Sequence, residues 1–371
     1  WNVLSKPSIN GDLARIYKIP VSEDADHELL CAHMASYDFV EYAEPNYLFP
    51  VEAIPNDSLW SEMWHLVQVK APEAWDIARG DSNVVIAIID TGVDWDHPDL
   101  AASIWTNANE TLDGTDTDNN GYIDDIRGWD FVERVFDYKA GEDGIGEDNN
   151  TMDFDGHGTF VAGIAAATTN NLIGISSLSW GCKIMPLRAG YSSYSGGYIV
   201  LEYAAKAFVY AADNGADIIN LSTSSSFLIV DVARYAFSQG VIITKSAGNE
   251  QSSRPDPLEL EPYVLSVAAV NAEDKKAGYS DFGRWVKVAA PGGESTPNGR
   301  LRSTFFNDHY RLWQGTSFAA PNVAALAGLL KSARPDWNAA DIIFRITETA
   351  DNIDALNPAF AGLLGSGRIN A

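Results

Sequence analysis

The chain has 371 residues, 46% of them hydrophobic and 20% charged, with a formal net charge of −26 at pH 7. That length supports one large core or two domains, and so strong a negative charge argues against nucleic acid as a partner. No apolar run is long enough to cross a bilayer as a helix, so no membrane partner is expected.

In chain order, residues 1–50 stand apart: 13–21 read as a strand, 24–36 as a helix and 39–42 as a second strand, together a small α+β unit. Residues 84–89 (Val-Val-Ile-Ala-Ile-Ile) form an apolar run of the kind buried on both faces, and it ends at Asp90. Comparable runs lie at 182–187, 216–221 and 241–244. Helical stretches rich in alanine and leucine fall around them, at 161–167, 198–214, 231–238 and 319–330. Buried strands alternating with helices predict the α/β class, with a mostly parallel central sheet covered by helices on both faces. In such sheets functional residues gather where strands end and helices begin. Between Asp94 and Asp155, 18 acidic residues face only Arg127, Arg134 and Lys139, which puts 15 of the 26 net negative charges in one stretch. Cys31 and Cys182 belong to different predicted units, so two unpaired thiols are expected rather than a disulfide.

Three short motifs occur in a fixed order: Ile-Ile-Asp-Thr-Gly around Asp90, Asp-Gly-His-Gly-Thr around His157, and Gly-Thr-Ser-Phe-Ala-Ala-Pro around Ser317. Together they supply an aspartate, a histidine and a serine. A serine hydroxyl is a poor nucleophile at neutral pH; it needs a base to take its proton, and that base needs a carboxylate to fix its tautomer. Asp90 ends a strand run, while His157 and Ser317 each precede an alanine-rich helical stretch. A helix start near Ser317 favours negative charge beside it.

At these residues the chain resembles the subtilisin family of serine endopeptidases, over roughly residues 57–371. The resemblance implies a subtilisin-like catalytic domain at 57–371, with Ser317 as nucleophile, His157 as general base and acid, and Asp90 as its orienting carboxylate. Ser-Ala-Gly-Asn-Glu (246–250) resembles the family's oxyanion motif, which implies that Asn249 donates its side-chain amide beside the Ser317 backbone N–H. An extended peptide or protein substrate is expected to add as a strand along Leu221, Ser222, Thr223 and Ser224. The chain departs from the family where Ser224 and Ser225 replace the usual glycines, and where Phe160 replaces a frequent histidine. Val-Glu-Tyr-Ala-Glu-Pro-Asn-Tyr (40–47) resembles the end of a propeptide, and Asn56 to Trp60 the start of a mature enzyme. Residues 1–50 are therefore expected to be a partial propeptide that aids folding and inhibits, with 51–56 as the linker where self-cleavage matures the enzyme. Gly-Ser-Gly-Arg-Ile-Asn-Ala (365–371) leads into a last helix in the family, so truncation is expected there.

The segment from Asp116 through Asp118, Asn120, Gly121 and Tyr122 to Asp124 and Asp125 fits the front of an EF-hand loop, in which alternate oxygens wrap a calcium ion and glycine permits the turn. Arg127 occupies the place of the usual closing glutamate, so Asp124 or Asp125 has to complete the shell. The resemblance implies a second calcium site from Asp57, Asp99 and Asn171, with backbone carbonyls near Thr169, Ile173 and Ile175. The expectation is a secreted, monomeric, calcium-stabilised endopeptidase. A subtilase specialised for processing or for transpeptidation shares the same acyl-enzyme chemistry and stays open. So does a catalytically silent calcium-binding protein on the same fold.

Overall fold

The computed structural model describes residues 19–21, 25–44, 53–296 and 299–371. The chain falls into two compact units, residues 1–51 and 52–371. In the first, helix α1 (His27–Ala35) starts under the cap of Asp26, whose carboxylate accepts the Leu29 N–H at 3.0 Å. It occupies the helix expected over 24–36. The strand expected over 39–42 is instead a chain reversal: Val40 N–H donates to the Tyr37 carbonyl at 2.9 Å, and the Tyr37 and Phe39 rings stack at 5.4 Å. The strand expected over 13–21 lies outside the described residues, apart from 19–21, which carry no regular structure.

The second unit contains strands β1 (Val85–Asp90), β2 (Trp129–Asp130), β3 (Lys183–Arg188), β4 (Gly190–Ser193), β5 (Gly196–Ile199), β6 (Ile218–Leu221), β7 (Ile242–Ser246), β8 (Val264–Val270), β9 (Val288–Pro291), β10 (Leu301–Phe305) and β11 (His309–Trp313). Its helices are α2 (Trp64–Gln68), α3 (Ala71–Ile77), α4 (His157–Ala166), α5 (Leu201–Asp213), α6 (Phe227–Ser238), α7 (Thr316–Ala333) and α8 (Ala339–Glu348). A seven-stranded sheet runs β2-β3-β1-β6-β7-β8-β9, and every pairing in it is parallel. The remaining strands form two antiparallel hairpins, β4 with β5 and β10 with β11.

Strand β1 shows why the sheet sits at the centre. All six of its residues are buried, and successive side chains go to opposite faces. Ile86 and Ile88 join the core built with α4 and α7, whereas Val85, Ala87 and Ile89 join the core built with α5 and α6. An apolar run without polar alternation is what burial on both faces demands. The order of connection reverses at β1, which lies between β3 and β6. The crevice at its carboxyl end is thus where a site belongs, and Asp90, the residues after β6 and those after β7 share that rim.

Three helices begin earlier than their apolar spacing indicates, at His157, Phe227 and Thr316. Their first turns mix motif residues and large exposed side chains with core-facing ones such as Phe160, Ile229 and Phe318, which interrupts the apolar spacing. Phe227, the first residue of α6, is 78% exposed. Strands β8 and β9 are not among the expected apolar runs, although both are wholly buried; β9 (Val-Ala-Ala-Pro) has a single branched apolar side chain, and in β8 (Val-Leu-Ser-Val-Ala-Ala-Val) a serine and two alanines interrupt the run.

Candidate active site

Asp90 is the last residue of β1 and His157 the first of α4, and His157 Nδ1 lies 2.8 Å from Asp90 Oδ1. A carboxylate can only accept, so Nδ1 carries the proton and Nε2 is left as the basic atom. The same Asp90 oxygen accepts the Thr91 N–H at 2.8 Å. Burial pushes the His157 pKa down, but the charge and hydrogen bond of Asp90, with help from Asp155 and Asp153, outweigh it, and the pKa rests above the ordinary imidazole value. Aromatic rings wall the imidazole: Trp313 meets it edge-on at 5.8 Å and Phe318 at 5.5 Å. Phe160, buried behind them, contacts Phe318 at 4.3 Å.

The juxtaposition depends on two features that the sequence motifs only hint at. Gly158 is the point of closest approach between α4 and the loop after β1: a Cβ there would sit 2.0 Å from the Gly92 carbonyl and 3.0 Å from Asp90 Cβ. Asp153, which no motif assignment included, is buried and accepts five hydrogen bonds. They come from the Thr91 hydroxyl, the backbone N–H groups of Asp155, Gly156 and Thr159, and the Thr159 hydroxyl. Thr91 in turn accepts the Gly158 N–H at 3.0 Å. One buried carboxylate therefore ties the end of β1 to the start of α4, fixing both members of the Asp90–His157 pair.

Ser317 stands in the first turn of α7, where its backbone N–H has no carbonyl one turn back to bond. Its hydroxyl donates to the Ser222 carbonyl at 3.2 Å, and the Ser222 hydroxyl donates to the Ser317 carbonyl at 2.8 Å. Asn249 Oδ1 accepts from both the N–H and the hydroxyl of Thr316, each at 3.0 Å. With its oxygen pinned, the Asn249 amide nitrogen is the atom offered to the cleft. Thr316 also accepts the Gly248 N–H at 3.1 Å, a positioning role concealed by its place beside the serine.

A cleft of about 650 Å³ brings together His157, Ser317 and Asn249, with Ser222, Thr223 and Ser224 along one wall. Leu221 does not line it; its side chain is wholly buried in the core under α5 and α6, because it lies on the inward face of β6. Ser225 turns to Asp256, its N–H donating at 2.9 Å and its hydroxyl bonding the other oxygen. Such an arrangement can deprotonate a serine, attack a carbonyl and stabilise the resulting oxyanion.

The predicted metal ligands fall into two groups. In the first loop, Asp118 and Asp125 come together with Glu110, their oxygens within 4.8 Å of one another. Glu110 lies outside the EF-hand pattern and was invisible to it. Asn107 Nδ2 bridges Asp118 and Asp125 at 2.9 and 3.0 Å, and Asn120 Nδ2 reaches Asp125 at 2.9 Å. Asp116 accepts the N–H groups of Asn120 and Gly121, as the turn of such a loop requires. The Tyr122 ring packs edge-on against Trp129 and Tyr210, leaving its backbone carbonyl as the atom free for the loop. Asp124 points elsewhere: it caps the N–H groups of Asp113 and Gly114 at 2.9 and 3.0 Å, so Asp125 is the residue gathered with Asp118. Three close carboxylates, two of them buried, repel one another, and a set of hard oxygens suits calcium.

The second group is also assembled. Asp57 accepts the N–H groups of Asn170 and Asn171 and the Ser176 hydroxyl; Asp99 accepts the Asn171 amide at 2.8 Å and the Ile175 N–H at 2.8 Å. Burial, offset in part by those hydrogen bonds and reinforced by Asp57, raises the Asp99 pKa to about 6. Two adjacent carboxylates and an amide again fit a hard cation. Cys182 is buried and its thiol is pushed up to about 12 by that burial, while Cys31 is half-buried; both are free. Among the described residues no helix is long and apolar enough to cross a membrane.

The model of the Subtilase family matches residues 81–367. The thermophilic serine proteinase of Bacillus sp. (strain AK1) is 36% identical over 337 residues, covering 90% of this chain and 72% of that protein. Thermitase of Thermoactinomyces vulgaris is 34% identical over 321 residues, covering 85% of this chain and 97% of thermitase. Among solved structures, a protease from Pseudoalteromonas arctica superposes with a TM-score of 0.71 at 28% identity, over 86% of this chain and 97% of that one.

Proposed function

The chain belongs to the subtilase family and is a serine endopeptidase, and from that premise we propose that Ser317 is its nucleophile. The observation that carries this reading is the single cleft holding Ser317, the Asp90-paired His157 and the Thr316-anchored Asn249. His157 Nε2 takes the Ser317 proton as Oγ bonds to the substrate carbonyl carbon. The carbonyl oxygen becomes an oxyanion facing the Asn249 amide and the Ser317 N–H. On collapse the C–N bond breaks and His157 returns the proton to the departing amine. Water then repeats the sequence on the acyl-enzyme, releasing the acid and regenerating Ser317. Asp90 stays ionised throughout and holds the imidazole in one tautomer.

Calcium belongs to the same reading. Glu110, Asp118 and Asp125, with Asp116, Asn120 and the Tyr122 carbonyl, would hold one ion, and Asp57, Asp99 and Asn171 another. Bound there, calcium supplies charge neutralisation and cross-linking of loops rather than a step in peptide cleavage. Sites built from several carboxylates and no transition-metal ligand suit a calcium-rich compartment, which supports secretion. Residues 1–50 act as a propeptide, removed by a cut between residues 45 and 60. Intact mass followed over time in calcium tests this for the wild type and Ser317→Ala. Loss of the N-terminal segment from the wild type alone is the expected result. Two folded, unchanged chains, with no cleavage of an added peptide by either, would contradict it.

A further inference from the structure

We propose that the base of the cleft selects a lysine or arginine immediately before the scissile bond, with Asp256 holding the cationic head. This rests on the assignment of Ser317 as nucleophile, because that assignment makes the cavity beside it the pocket for the preceding side chain. The walls of that cavity are Ser222–Ser224 after β6 and Ala247–Asn249 after β7. Its floor is charged. Lys245 and Glu259 line the cleft with side chains only 2% and 1% exposed, and Asp256 stands above them at 22%.

These groups form one connected network. Lys245 Nζ lies 3.0 Å from Asp256 Oδ2 and 3.1 Å from Glu259 Oε1, and donates to the Ser246 carbonyl at 2.5 Å. Glu259 Oε2 accepts the Asp256 N–H at 2.8 Å. Ser225 donates to Asp256 through both its N–H and its hydroxyl. The Asp256 carboxylate accepts the two Ser225 donors and, as the cap of the short helix Pro257–Leu260, the Glu259 N–H, and its Oδ2 lies 3.0 Å from the Lys245 ammonium. Asp256 is the most exposed carboxylate of this network, and so the one that a cation entering the cleft meets first.

The charge balance points the same way. Burial raises the Glu259 pKa to about 7, so near neutral pH Glu259 adds only part of a negative charge and Lys245 chiefly balances Asp256. Glu250, Asp281 and Asp155 also line the cleft, against Arg254 as one further fixed cation. A phenylalanine or leucine side chain would be set against buried charges with nothing to offer them, and a glutamate would meet like charge. A lysine or arginine brings positive charge to a cleft lined by more carboxylates than cations.

The test uses the calcium-loaded full chain and peptides identical except for arginine, lysine, phenylalanine, leucine or glutamate before the scissile bond. Fluorophosphonate labelling of Ser317, read by mass, runs in parallel. The expected result is a kcat/KM for arginine and lysine higher than for phenylalanine and leucine by about tenfold or more, the order of a partly buried charge pair. Asp256→Asn should collapse that ratio, and Asp256→Glu should restore part of it. Benzamidine should inhibit the wild type competitively while neutral benzamide does not, a readout that needs no variant. A labelled wild type that prefers phenylalanine or leucine, or an unchanged ratio in folded Asp256→Asn, would overturn the proposal and leave the nucleophile in place. Folded enzyme that neither labels nor cleaves would overturn both.

Discussion

At the scale of single residues, the account turns on how Asp90 and Asn249 are held. As the proposed general base, His157 must be neutral, and Asp90 holds its pKa above the ordinary imidazole value against the opposing effect of burial. kcat/KM is therefore expected to rise with pH through that elevated value. In Asp90→Asn the burial effect remains and the raising charge is gone, so the acidic limb should move to lower pH. The rate should also fall by about 10⁴-fold, the order that loss of the orienting carboxylate costs in serine peptidases. A pH profile of both proteins with one peptide checks position and height together. Asn249→Ala should lower kcat by about 10²- to 10³-fold with little change in KM, because an oxyanion donor acts on the transition state. Asp90, His157, Ser317 and Asn249 could be proposed from the sequence because each sits in a compact local motif. Asp153, Thr316 and Glu110 were not, because their roles exist only once distant segments meet: Asp153 at Thr91, Thr316 at Asn249, Glu110 at Asp125.

At the scale of elements, the sheet core was read correctly where apolar runs are unbroken, as in β1, and missed where alanine carries the burial, as in β9, or where serine and alanine interrupt the run, as in β8. Alanine works there because helices and strands approach closely. Helix α7 shows the limit: a Cβ on Gly328 would lie 2.9 Å from Cys182 Sγ and 3.3 Å from Ile86 Cδ1. Gly328→Ala is therefore expected to destabilise by about 1–3 kcal/mol, as overpacking does. Urea unfolding measures it, and Cys182→Ala combined with Gly328→Ala should recover part of the loss, since it clears the nearer contact. A fully additive double variant would mean that the helix shifts instead. The expectation for 39–42 failed for a different reason: a short alternating stretch fits a strand only if a partner pairs with it, and Tyr37 and Phe39 stack into a turn.

For the whole molecule, the net charge of −26 is a source of self-repulsion that calcium at the two proposed sites would relieve. Chelation should lower the unfolding temperature, and at a free calcium concentration about 100 times Kd one site contributes about 2.7 kcal/mol. Asp118→Asn with Asp125→Asn should remove that site's calcium-dependent increment, read by calorimetry with and without chelator. An increment of wild-type size in the double variant would place the ion elsewhere. The central claim, an acyl-enzyme formed on Ser317, is tested most directly by labelling the calcium-loaded chain with a fluorophosphonate and mapping the adduct by mass. One adduct at Ser317 in the wild type and none in Ser317→Ala is the result this account predicts. A folded wild type that takes no label, or a variant labelled equally well, would contradict it.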